Sequence, residues 1–215
     1  LAREGFRQIH EFRSAAQIDS VAIERQRLWT DRRDETGPFD IVGDVRDLLH
    51  DGWDLLAVLH PPCTRLTNSG VRWLSVPPPG RTLSDMWAEL DEGAALFSAC
   101  WNAPIPRVAC ENPVMHKHAK ARIVNFQPHA QSVQPWQFGT DPHGPDNVKK
   151  RTCLWLRGLP NLTPTGTLDG STARDEIHKA SPGPDRAERR SRFFPGLADA
   201  MADQWGGWAM ERVAA

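Results

Sequence analysis

No stretch of the 215 residues approaches the roughly 18 consecutive apolar residues of a membrane span. That argues against a spanning helix and against a membrane partner, and no signal peptide is expected at the start of the chain. The four cysteines (Cys63, Cys100, Cys110, Cys153) include no CxxC pair and no regular spacing. This argues against a disulfide framework or a common zinc motif, and points to reduced thiols in a cytoplasmic protein. No internal repeat is evident. The formal charge is only −1, so the whole molecule is no polycation. The total hides an asymmetry. Residues 115–157 hold seven Lys/Arg against two Asp, with four His, whereas acids exceed bases before His60. A basic second half suits a polyanion, although such runs are more often solvated faces.

The length suits one α/β domain, or one with a small appendage, and it can bury a real core. Residues 3–16 read as a helix, with Phe6, Ile9 and Phe12 at helical spacing. Residues 19–24 (DSVAIE) read as a short buried strand, and 39–45 (FDIVGDV) as a strand entering a Gly-Asp turn. A short helix closed by Gly52 follows. Residues 53–60 (WDLLAVLH) form the most convincing parallel strand, a continuous apolar run with a sharp end. Residues 84–102 predict a helix capped by Ser84, with Leu90, Ala94, Phe97 and Trp101 on its inner stripe. RVACENP (107–113) reads as a strand, and SVQPWQFG and RTCLWLRGL as two later ones. Residues 163–185 read as irregular, and 193–213 as a final helix with Leu197, Met201 and Trp205 on one face.

Alternating strands and helices predict an α/β fold, a Rossmann-like and mostly parallel sheet with helices on both faces. The expected division is a catalytic domain over 1–160, with 161–215 as a short C-terminal extension. In such sheets ligands sit outside the carboxyl ends of the strands. The polar punctuation falls at those ends: Glu24, Asp44, His60-Pro61-Pro62-Cys63 and Glu111-Asn112.

HPPC after an apolar strand, then ENP at the end of the next strand with one long helix between, resembles the cytosine-5 DNA methyltransferases. The longer series GDV, DGWDLL, HPPCT, NSGVRWL, ENPVMH, QPWQFG, CLWL and QWG is similar to small phage and prophage proteins described as DNA-methyltransferase-like. That second resemblance covers about residues 39–206. It implies methyl transfer from S-adenosylmethionine to a pyrimidine, with Cys63 as nucleophile, Glu111 as acid and Asn112 orienting the loop or the base. It also places the cofactor near Glu24, Asp44, His60 and Pro61. Candidates for phosphate or base contact are Arg65, Asn68, Arg72, Lys149, Lys150 and Arg151.

The chemistry needs these types. Carbon 5 of cytosine is a poor nucleophile. Thiolate attack on carbon 6 turns the ring into an enamine that accepts a methyl group. A carboxyl group at the ring edge can supply a proton to N3. Prolines before the cysteine reduce its freedom before reaction. In duplex DNA the base must first leave the stack. The strand and Gly-rich turn that meet the methionine part of the cofactor in the family are not visible after Leu1, and the large target-recognition region is absent. Two alternatives therefore stay open: a pyrimidine-modifying enzyme at the nucleotide level, and a degenerate relative that only binds nucleic acid. His116-x-His118 lacks the spacing of a common zinc motif, so no metal is expected. Trp73 and Trp136, in polar surroundings, are the better base-stacking candidates.

Overall fold

In a computed structural model, the described residues are 12–13, 19–23, 44–50, 53, 56–61, 63–177 and 194–206. They fall into two compact units: the described part of His10–Gln131 with Cys153–Leu159, and Ser132–Thr152 with the described part of Pro160–Ala215. Each is taken by itself.

The first unit holds strands β1 (Phe12–Arg13), β2 (Asp19–Ile23), β3 (Leu56–His60) and β4 (Val108–Asn112). A short strand, β5 (Gln131–Val133), falls at the boundary, and β6 (Thr152–Arg157) lies almost wholly within this unit. Inside the unit the strand order runs β1-β2-β3-β4-β6. The fold is α/β, but the sheet is mixed. Among the four strand pairings described, β3 with β4 is the parallel one, with Leu59 opposite Cys110. Strand β2 is antiparallel to β3, and β6 is antiparallel to β4. The expectation of a mostly parallel sheet is thus corrected. A buried apolar strand looks the same in sequence whichever way it runs, and only a crossover connection forces parallel neighbours.

That crossover is helix α1 (Leu83–Trp101), which joins β3 to β4. Its cap is Thr82, not Ser84. Thr82 Oγ1 accepts from the Asp85 N–H at 3.1 Å, and the Asp85 carboxylate accepts from the Thr82 N–H at 2.8 Å. This reciprocal pair requires an acid three residues after the cap, which Thr82 has and Ser84 lacks. Met86, Leu90, Ala94, Phe97 and Trp101 are buried along the inner face. Phe97 meets Trp155 of β6 edge to face, with centroids 5.3 Å apart.

Two further expectations change. Phe12 and Arg13 are paired in β1 instead of a helix. Of the segment expected to be a strand entering a Gly-Asp turn, 39–43 lie outside the described residues, and Asp44 caps a 3-10 turn, Val45–Asp47, in place of a strand reaching Val45. A side chain that bonds its own backbone two residues on competes with strand pairing. In the second unit, helix α3 (Pro195–Met201) passes into a single π-turn, Ala202–Gly206, and buries Leu197, Met201 and Trp205. Residues 163–177 are largely irregular. No helix among the described residues is long and apolar enough to cross a membrane.

Candidate functional site

The parallel pairing of β3 and β4 decides where the chemistry sits. Because Leu59 faces Cys110 in register, the next residues, His60 and Glu111, end up side by side. His60 Nδ1 lies 3.3 Å from Glu111 Oε2, and both side chains are nearly enclosed. One residue on, Asn112 is fully buried and its Nδ2 donates to the Pro61 carbonyl at 2.8 Å. The turn that leaves β3 is thus tied to the end of β4. Pro62 lies outside the described residues.

Cys63 follows, and it is exposed. Its carbonyl accepts from the Leu66 and Thr67 N–H groups at 3.1 and 3.2 Å, so the loop turns tightly after it. Gly70 closes the same loop. A Cβ there would stand 2.2 Å from the Thr64 carbonyl oxygen, so no larger residue fits. Thr67 pairs with Met115 in an isolated antiparallel bridge. The loop after β3 is therefore stitched to the chain after β4 at several points.

His116 supplies another stitch. Its backbone N–H donates to Leu66 O at 3.0 Å. Its Nδ1 accepts from the Ala119 N–H at 3.1 Å, capping the short helix α2 (Lys117–Lys120). The Nε2–H then donates to Arg65 O at 2.7 Å. Burial holds His116 below the ordinary histidine range. Sequence reasoning weighed His116 only as a metal ligand and missed this anchoring role. Its one signal was a position just before the KHAK helix. Among the described residues no three His, Cys, Asp or Glu side chains gather as a metal site needs.

The other cysteines differ sharply from Cys63. Cys100, Cys110 and Cys153 are buried. Burial pushes the Cys100 thiol up to about 12 and the Cys110 thiol well above its usual value. Such thiols stay protonated and inert.

The remaining candidates are scattered. Arg65 is committed to Glu89 on α1, which also binds Arg81. Asn68 is exposed, with its N–H reaching Val114 O at 3.4 Å. Arg72 is exposed and its guanidinium carbon lies over Trp73, 4.0 Å from the ring centroid. Lys149, Lys150 and Arg151 belong to the second unit. There Lys149 and Arg151 are exposed and Lys150 Nζ lies 5.5 Å over Phe194. Trp136 in that unit packs so closely on Gly170 that a Cβ at Gly170 would meet it at 2.7 Å.

Of the residues expected to hold S-adenosylmethionine, Asp44, His60 and Pro61 are described, and each takes part in a hydrogen bond within the protein. Glu24 lies outside the described residues. The Asp44 carboxylate accepts from the Arg46 backbone N–H and side-chain Nε, each at 2.9 Å. That hydrogen-bonded guanidinium holds Asp44 below the ordinary carboxylate range. His60 is turned to Glu111, and the Pro61 carbonyl is taken by Asn112. Asp44, His60 and Pro61 thus each have a hydrogen-bond partner within the protein, and no step below runs through the cofactor.

Searches against protein-family models, curated proteins and solved structures find no match for this chain.

Proposed function

We propose that this chain activates a pyrimidine ring for substitution at carbon 5, by covalent addition of Cys63 and with Glu111 as the acid. DNA cytosine is the first substrate to test and methylation the expected outcome, as the resemblance to cytosine-5 DNA methyltransferases implies. The Cys63 thiolate adds to carbon 6. The electron pair of the 5,6 double bond moves into the ring as N3 takes the Glu111 proton. Carbon 5 becomes nucleophilic and takes an electrophile. Water takes the carbon 5 hydrogen as a proton, the electrons left behind re-form the 5,6 double bond and expel the Cys63 thiolate, and the N3 proton returns to Glu111.

One observation carries this reading. The exposed cysteine leaves a strand end that is fastened, through Asn112 and Pro61, to the neighbouring strand end bearing the acid. A carboxyl at one strand end and a thiol in a loop tied to that end can be brought to one ring more readily than by a free loop.

The reaction can be read without any methyl donor, since a proton from solvent can serve as the electrophile. In heavy water, cytosine in an oligonucleotide should lose its carbon 5 proton signal in the presence of the native chain. The signal should persist with Cys63→Ser. Retention of exchange in that variant, or none with the native chain on oligonucleotide or nucleotide, contradicts the proposal.

A further inference from the structure

The His60–Glu111 contact is built from two strands that lie far apart in sequence. His60 closes β3, and Glu111 is the fourth residue of β4. Their side chains are 8% and 12% exposed. A carboxylate in so dry a place is costly unless a donor faces it. An imidazole donating from Nδ1 supplies that donor and fixes how the carboxyl group lies.

Resting on the reading of Glu111 as proton donor to N3, we infer that His60 is its positioning residue, a buried partner that aims the carboxyl group and stabilises the carboxylate left when the proton moves to the ring. The proton count closes. N3 gains the proton of Glu111 as the sulfur–carbon 6 bond forms, and His60 Nδ1–H faces the resulting negative charge. When the sulfur leaves, the N3 proton returns to the same carboxylate. His60 ends each cycle as it began.

Asp19 of β2 stands opposite His60 in the antiparallel register, and three further titratable or charged groups near the pair have other duties. Cys63 follows on the same loop and is the nucleophile. Arg65 is held by Glu89. His116, beyond β4, uses one ring nitrogen on Arg65 O and the other on the Ala119 N–H.

The test is the pH dependence of carbon 5 proton exchange, with Cys63 alkylation and thermal unfolding followed in parallel to verify the fold. His60→Ala should lower exchange about 10- to 100-fold, at or below the lower end of the range for direct acid–base assistance, as befits a group that acts through another. His60→Asn keeps an amide donor near the Nδ1 position. It should restore much of the rate at the pH optimum but lose the limb of the profile that a titrating imidazole contributes. In a double-mutant cycle, His60→Ala should add little to Glu111→Gln. Unchanged exchange in His60→Ala, or losses additive with Glu111→Gln and an unmoved profile, overturns the inference. Should the native chain show no exchange, the ring-activation reading fails by itself. Nitrogen NMR of His60 then decides this pair: a proton on Nδ1 that is lost in Glu111→Gln supports it, and an unchanged tautomer overturns it.

Discussion

Two of the acids that follow apolar segments, Glu111 and Asp44, are held in opposite ways. Glu111 and its neighbour Asn112 are bound from the far side of a helix, by His60 and Pro61, each 51 residues away. Asp44 is bound by Arg46, two residues on, and its side chain is 35% exposed against 12% for Glu111. A carboxylate that caps its own turn is doing local work. A carboxyl group enclosed at a strand end, and met there by another strand, has its position dictated by the whole sheet. The contrast separates a candidate reacting group from a structural one, although both sit at the kind of place where this fold class binds ligands.

Breaking each end should therefore have unequal consequences. The largest expected effect is on the nucleophile. Cys63→Ser should bring carbon 5 exchange to background while stability moves by no more than about 0.5 kcal/mol, as for other exposed positions. Glu111→Gln comes next, with exchange down by about two to four orders of magnitude and Cys63 alkylation intact. Asn112→Ala removes the tie between the strand ends and leaves the Pro61 carbonyl without that donor. Denaturant unfolding should register a loss of about 1–3 kcal/mol. At the other region, Asp44→Ala should cost about 1 kcal/mol, as for loss of a capping side chain, with exchange unchanged. The smallest effect is a pH effect on the His116 stitch. His116 is held neutral in the fold, so the unfolded chain binds more protons below the ordinary histidine value of 6.5. Stability should be insensitive to this group above about pH 6.5 and fall as the pH drops below it. Substituting His116 by Gln should flatten that part of the stability curve.

Much of the site was legible because its parts are local. An apolar run ending at His60 and another ending at Glu111 announce strand ends, and HPPC and ENP mark them. The pairing was not legible. Strand direction leaves no trace in the periodicity of a buried run, so the antiparallel placement of β2 and β6 could not be read. His60 and Glu111 carry no local signal of one another, and their contact shows only once β3 and β4 lie side by side. Asp44 is ambiguous for the converse reason: Gly-Asp after an apolar segment is the same text whether the acid meets a ligand or caps a turn. The Thr82 cap was legible in principle, since Asp85 stands three residues later, but Ser84 offered an equally acceptable side chain.

The most direct measurement is the rate of carbon 5 proton exchange on a cytosine-containing oligonucleotide in heavy water, compared between Cys63→Ser and Asp44→Ala. Background exchange in the first and native exchange in the second is the predicted result. Native-like exchange in Cys63→Ser, or equal losses in both variants, would contradict the assignment of the reaction to the joined ends of β3 and β4.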